Sequence, residues 1–303
     1  MHMDRGKVVI ESEMESKVLA SKRMVRVYVP GSYGSGGAKR YPVLYAHDGQ
    51  NVFSTVGPHV GFGWGNWDLD GTASRLAAKG LMQEIIIVAV DCSRDRYLEY
   101  RGPSRPYTEA QLAGMARQPS APGDDRRYRA YERFLIDELK PRIDREFRTD
   151  PLPRHTALLG SSMGGICSLA LAWHNPNHFG GAASMSGAFQ VEREFFLREV
   201  LKNNFIGSTR PRIYLDSGVM DHSGGDDGRA LTQAVAQRLR SLGWRENENL
   251  LHHVEEKPLT EVGMQEAGLH RSKWKEAAAS QHNEFYWKLR VERPLLFLFG
   301  VQR

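Results

Sequence analysis

Short apolar runs alternate with longer amphipathic stretches along this chain, which predicts strands alternating with helices. Lys7 to Glu15 and Met24 to Pro30 read as opening antiparallel strands. Val43-Leu44-Tyr45-Ala46 is a short buried strand. Glu84 to Val90 is a continuous β-branched run, the pattern of a central strand covered on both faces. Tyr131 to Phe147 carries Phe134, Leu135, Leu139, Ile143 and Phe147 at helical spacing. Thr156 to Leu159, Gly181 to Ser186, Arg212 to Leu215 and Leu250 to Val254 continue the strands. Between them fall an apolar helical run, Ile166 to Trp173, and a helix from Ala230 to Leu242 that ends near Gly243 as a C-cap. Phe285 to Phe299 closes the chain as a helix interrupted at Pro294. Such alternation predicts an α/β fold: a mainly parallel central sheet with helices on both faces. The long connections 54–65, 101–125 and 258–279 are expected to be insertions that form a cap on a single domain spanning 1–303. The first two follow the C-terminal ends of strands, where open α/β sheets bind ligands.

Composition narrows the picture little. Of 303 residues, 41% are hydrophobic and 25% charged, as in an ordinary globular domain. No apolar run is long enough to span a bilayer, and the N-terminus has no apolar signal-peptide core, so no membrane partner is expected. The net charge is +5, but the basic residues are dispersed apart from Arg126, Arg127 and Arg129. Those three fit a solvated helix face, and no basic groove interleaved with aromatics suggests nucleic acid. Cys92 and Cys167 read as buried thiols, which favours a reducing compartment. No H-E-x-x-H, paired C-x-x-C or EF-hand spacing occurs, so neither a metal nor another cofactor is expected. Oligomeric state leaves no mark on the sequence.

The chemistry concentrates in Gly160-Ser161-Ser162-Met163-Gly164, between a strand-like run and an apolar helix. That is the setting of a nucleophile elbow, where the chain turns so sharply that the middle serine stands clear of the sheet. Small flanking residues are needed because a side chain there would clash. Ser162 is therefore the candidate nucleophile. A serine needs a base, and the base needs a carboxylate to hold its tautomer. In α/β-hydrolase folds they follow in the order serine, acid, histidine. His282, after the last strand, is the candidate base. Asp221, carried off the strand end by a glycine turn, is the first candidate acid and Asp216 the second; Asp226 and Asp227 read as a helix N-cap. His252 and His253 lie within a strand and read as structural, and His222 as a loop histidine. The oxyanion donors are expected to be the amides of Met163 and Gln50, with Gly49 as the alternative to Gln50 and His47 shaping that loop.

These residues stand in a longer series. Tyr41 to Phe53, Arg96-Tyr97-Leu98-Glu99-Tyr100, Phe134 to Asp144, the glycine-serine turn itself, and His282-Asn283-Glu284 with Trp287 and Pro294 to Phe299 run almost the full length. Together they resemble the esterase family of α/β-hydrolases that includes esterase D-like, feruloyl and enterochelin esterases and mycolyltransferases of the antigen 85 type. The resemblance implies an α/β-hydrolase fold and a serine esterase that needs no cofactor and acts on a small-molecule ester. Ser162 would be nucleophile, His282 base and Asp221 acid in a G-x-x-D setting. Acyl transfer to an alcohol, or ligand binding without catalysis, are the alternatives that the same residues allow. Trp64, Trp67, Arg96 and Tyr100 are candidate substrate-binding residues, with Phe53 and Phe62 also near the mouth. Pro258 to Ala279 is longer than in many relatives, and Leu269 and Trp274 within it either line a pocket or pack the insert down.

Overall fold

The computed structural model describes residues 6–57, 59–103 and 125–301. Eight strands form one sheet: β1 (Lys7–Ser16), β2 (Ser21–Val29), β3 (Val43–His47), β4 (Ile86–Val90), β5 (Thr156–Ser161), β6 (Gly181–Met185), β7 (Arg212–Ser217) and β8 (Leu250–Val254). Their order is β1-β2-β4-β3-β5-β6-β7-β8. The opening hairpin β1/β2 is antiparallel and β2 pairs antiparallel with β4. Every later neighbour is parallel. This is the α/β-hydrolase fold, and the strands lie within a few residues of the runs predicted for them.

The parallel strands are buried on both faces, so apolar residues occupy consecutive positions and alternate ones enter two separate cores. Val43, Tyr45, Ile86, Val88 and Leu158 point to one face. Leu44, Ala46, Ile87, Ala89 and Leu159 point to the other. Helix α1 (Leu69–Ala78) covers the second face through Leu69, Ala73 and Leu76. A short helix, α2 (Arg96–Tyr100), follows β4. The predicted amphipathic helix, α3, runs in three stretches, Arg126–Arg133, the π-helical Phe134–Leu139 and Lys140–Glu146. It packs Phe134, Leu135, Leu139 and Ile143 on the first face. Helix α4 (Met163–His174) lies beside it, buried from Met163 through Trp173. Helix α5 (Arg229–Ser241) adds Val235 and Leu239 to the same face.

The long connection 258–279 contains two short helices, α6 (Glu261–Glu266) and α7 (Trp274–Ala279). A small core of Met264, Ala277, Phe285 and Tyr286 anchors them, with Trp64, Leu269 and Trp274 packed around it. The closing helix breaks at Val291, three residues before the proline expected to interrupt it, into α8 (Glu284–Arg290) and α9 (Glu292–Phe299). Pro294 falls in the first turn of α9, where a missing N–H goes unneeded. The predicted insertion 101–125 falls almost wholly outside the described residues.

Candidate active site

Because β3 to β8 run in parallel, the turns at their C-terminal ends gather on one rim of the sheet. They enclose a cavity of about 540 Å³. Asp48, Gln50 and Asn51 reach it from the turn after β3, Cys92 and Arg96 from the turn after β4, and Ser162 from the end of β5. His222 comes from the turn after β7, and Glu276, His282, Glu284 and Trp287 from the segments after β8.

Ser162 occupies a sharp strand-to-helix turn at φ 52°, ψ −119°, a region non-glycine residues seldom visit. Its neighbours explain how the turn closes. A Cβ on Gly160 would lie 2.3 Å from the carbonyl carbon of Gly164, and one on Gly165 would lie 2.5 Å from Ser184 Oγ. Neither position tolerates a larger residue without displacing its neighbour. Met163 opens α4, so its amide has no acceptor within the helix.

His282 Nδ1 is 2.5 Å from Asp227 Oδ1. Asp227 is fully buried, and its other oxygen accepts from Ser186 Oγ at 2.7 Å and from the Gly218 amide. Ser186 Oγ in turn receives Arg290 Nη2 at 2.7 Å and Trp287 Nε1 at 3.2 Å. The Trp287 and His282 rings meet at 77° with a centroid distance of 5.1 Å, which limits the tilt of the imidazole. The imidazole is thus held on one nitrogen and flanked on one side, and it remains partly exposed to the cavity.

The carboxylate bonded to His282 is thus neither of the two expected, Asp221 and Asp216. Asp221 folds back on its own turn, where it accepts from the amides of Ser223 and Gly225, each at 2.8 Å. The Ser223 hydroxyl, which donates at 2.6 Å, together with these amides holds its carboxyl below the usual range despite partial burial. Asp216 is buried and accepts from Tyr214 Oη at 3.0 Å and the Ser186 amide at 3.1 Å, with Arg290 3.4 Å away. Burial pushes its carboxyl up, against the pull of Arg290. Neither reaches His282. Neither neighbouring aspartate is the N-cap residue, which is Gly228: Asp226 Oδ2 covers the Ala230 amide at 2.9 Å from two residues earlier, while Asp227, at φ 55°, turns inward. The clue in the sequence was the doubling itself, since one carboxylate suffices to cap a helix.

The turn after β3 is rigid for different reasons. Asp48, at φ 56°, is gripped by Arg96 through Nε at 2.6 Å and Nη2 at 2.7 Å. Gly49 is obligatory, because a Cβ would fall 2.8 Å from the backbone of Val90. The Gln50 side chain clasps Cys92, accepting its amide at 3.1 Å and pointing Nε2 at Sγ at 3.1 Å. Asn51 and Val52 amides close the one-turn 3-10 helix onto Asp48 and Gly49 carbonyls, and the Gln50 amide stands outside that pattern. His47 is wholly buried, and burial lowers its imidazole to about 4, so it is neutral beside Tyr131 Oη at 2.9 Å. Burial also pushes the Cys92 thiol up to about 12, and both cysteines are free thiols.

Of the expected substrate-binding residues, Trp64 and Arg96 line the cavity, Arg96 already paired with Asp48. Trp67 and Tyr100 do not. Trp67 is fully buried edge-on to Trp287, and Tyr100 is fully buried against His47. Phe53 is likewise core, whereas Phe62 lines the mouth and is exposed. Leu269 and Trp274 pack the insert down, with Trp274 Nε1 donating to the Leu269 carbonyl at 3.0 Å. Sequence reasoning passed over Asn51, Glu284 and Trp287 as cavity residues, although two of them sit in the His282-Asn283-Glu284 and Trp287 pattern. Among the described residues there is no cluster of histidine, cysteine and carboxylate side chains able to hold a metal ion. No helix among them is long and apolar enough to cross a membrane.

Residues 16–285 match the family model described as "Putative esterase". An endo-1,4-beta-xylanase/feruloyl esterase of Xylanibacter ruminicola is 26% identical over 211 residues, which cover 68% of this chain and 24% of that protein. The uncharacterized protein YjcH of Bacillus subtilis is 26% identical over 180 residues, 59% of this chain and 61% of its own length. Thus the chain spans under two thirds of either curated relative. Among solved structures, a ferulic acid esterase superposes with a TM-score of 0.65 at 21% identity, covering 97% of this chain and 98% of its own. The enterobactin esterase FES from Shigella flexneri, solved with enterobactin, gives 0.63 at 18% identity over 97% of this chain and 58% of its own. At such identities the shared property is the fold.

Proposed function

The chain belongs to the esterase family matched over residues 16–285, and on that premise we propose that it is a serine hydrolase of carboxylic esters using Ser162, His282 and Asp227. The hydrogen bond from His282 Nδ1 to the buried Asp227, at the mouth that Ser162 also lines, carries the assignment. Ser162 Oγ attacks the ester carbonyl while His282 Nε2 takes its proton. Asp227 keeps the Nδ1–H tautomer in place and stabilises the imidazolium as it forms. The strained backbone at Ser162 fits the demand of a nucleophile elbow. The amides of Met163 and Gln50 serve the tetrahedral oxyanion, and removal of one such donor typically costs about 3 kcal/mol of transition-state stabilisation. The alcohol departs with the proton from His282, and water then hydrolyses the acyl-enzyme by the same route.

We take 1–303 as one hydrolase domain in which 258–279 acts as a cap. Glu276 and Ala279 of that segment line the cavity, and Lys273 Nζ lies 4.6 Å from the Trp64 ring centroid, joining the segment to the loop that carries Trp64. The feruloyl esterase activity named for one curated relative makes aromatic acid esters sensible first substrates. A fluorophosphonate probe, with the adduct mapped by mass spectrometry, tests the assignment. Labelling confined to Ser162, and lost in Ser162→Ala together with esterase activity, is the expected result. An unlabelled but folded wild-type protein would overturn it.

A further inference from the structure

Glu284 is the carboxyl at this rim whose surroundings do not explain it. It is 6% exposed and lines the cavity two residues beyond His282. A buried carboxylate ordinarily has a cation or several donors. Asp48 has both arms of Arg96, and Asp227 has His282, Ser186 and the Gly218 amide. Glu284 receives Asn51 Nδ2, at 3.2 Å on Oε1, and its own backbone amide, and no described cation lies within ion-pair distance of it. Its second oxygen lies under Gly61, where a Cβ would come within 3.1 Å. Burial, opposed by its own backbone amide and by Arg96 and reinforced by Asp48, raises the carboxyl to about 7. The wall beside it is aromatic, formed by Trp64 and Trp287.

We infer that Glu284, oriented by Asn51, is a specificity-determining residue that accepts a hydrogen bond from a hydroxyl group on an aromatic ring of the substrate. The inference rests on the hydrolase reading above. A phenolic O–H supplies a further donor to a carboxyl that has no cation and only Asn51 and its own amide as partners, and its ring finds the aromatic wall. A site that presents a buried acceptor discriminates strongly against an analogue lacking the matching hydroxyl, because the acceptor is then left without a partner. A purely structural role, in which the Asn51 bond only ties the turn after β3 to α8, makes a different prediction: every ester would suffer alike.

Two matched pairs separate these. In one, methyl 4-hydroxycinnamate is compared with methyl cinnamate, placing the hydroxyl on the acyl side. In the other, 4-hydroxyphenyl acetate is compared with phenyl acetate, placing it on the alcohol side. For wild type, kcat/KM is expected to favour the hydroxylated member of one pair by about tenfold. Glu284→Gln, which keeps the shape and the acceptor for Asn51, should reduce that preference at least about fivefold. A pH series adds a readout that packing would not move. Asp48, Arg96, Cys92, His222, Glu276 and His282 also face this cavity, but whatever they do to free enzyme cancels in the ratio for two competing esters. That ratio should rise between about pH 6 and 8 in wild type, as Glu284 ionises and becomes the stronger acceptor, and stay flat in Glu284→Gln. Equal losses on both members of each pair, or an unchanged ratio, would overturn the inference while Ser162 labelling leaves the hydrolase reading standing. Failure of wild type to label at Ser162 or to turn over any ester would overturn both.

Discussion

The turn after β3 and the turn after β7 each bring a buried aspartate to the same rim, and they are neutralised in opposite ways. Asp48 lies against a permanent cation, Arg96, in a two-point grip. Asp227 is held by neutral donors, Ser186 Oγ and the Gly218 amide, and has His282 as its third partner. A carboxylate already matched by a guanidinium has little attraction to spare for a new charge. One fixed by neutral dipoles retains it, and can stabilise an imidazolium that appears only during reaction. On the proposed reading the role of each follows from its partner, not from burial, which the two residues share. The sharpest way to break the comparison is Asp227→Asn. It preserves shape but favours the wrong imidazole tautomer, and kcat should fall by about 10⁴-fold with KM little changed. Loss of less than about tenfold would mean that His282 is oriented by something else.

Arg96→Met tests the other arm. Asp48 would remain buried with its cation gone, and breaking such a pair costs about 3 kcal/mol or more. The urea midpoint should fall accordingly. Because Gln50 is two residues from Asp48, kcat should also fall, by about tenfold, as the proposed oxyanion donor loses its fixed position. If stability drops while kcat is unchanged, the Asp48–Arg96 pair is a structural clamp and nothing more.

A third carboxyl, Glu284, has neither solution in full, and its contrast with the other two can be measured through stability. Its value rises from an ordinary 4.5 to about 7 on folding, chiefly through burial. Between those values the folded state binds more protons than the unfolded state. Stability therefore falls as pH rises through this window, and the loss is complete above about pH 7. Its size is about 3 kcal/mol. Glu284→Gln should be more stable than wild type at pH 8 and nearly equal to it at pH 4.5. Some slope should persist in the variant, because Asp91, raised by burial to about 6, acts with the same sign. Thermal melts across pH 4.5 to 8 would check this, and parallel curves for the two proteins would refute it.

What could be read from the chain followed the same division between burial and partnership. Strands such as Ile86–Val90 were legible because burial on both faces leaves a continuous apolar run. The strained serine was legible because its glycines have steric reasons to be there. The insert 258–279 was read as a loop because α6 and α7, at six residues each, are too short to display a helical period. Trp67 and Tyr100 were assigned to the mouth because an aromatic residue near a strand end looks the same whether it faces a cavity or the core behind it. The carboxylate that His282 bonds is illegible for a subtler reason. Asp221 and Asp227 lie in one turn, each in plausible spacing, and only backbone angles decide between them. A left-handed residue at Asp227, followed by Gly228 at φ 68°, swings that carboxylate beneath His282.

Asp221 supplies the smallest effect and closes the comparison within a single turn. It is exposed enough to be solvated, and its hydrogen bonds stay within residues 221–225. Asparagine can still accept from the Ser223 and Gly225 amides through its side-chain oxygen, so Asp221→Asn should cost less than about 1 kcal/mol of stability. kcat should stay within about twofold of wild type, because the lost charge is absorbed by solvent rather than by the imidazole. The variant is informative because Asp221→Asn and Asp227→Asn are the same chemical change six residues apart. If Asp221→Asn instead matched the loss expected at Asp227, the two carboxylates would exchange partners during catalysis, with the loop 218–225 moving to bring Asp221 against His282. A double variant no worse than either single one would establish that exchange. An Asp227→Asn defect that the intact Asp221 does nothing to relieve would exclude it.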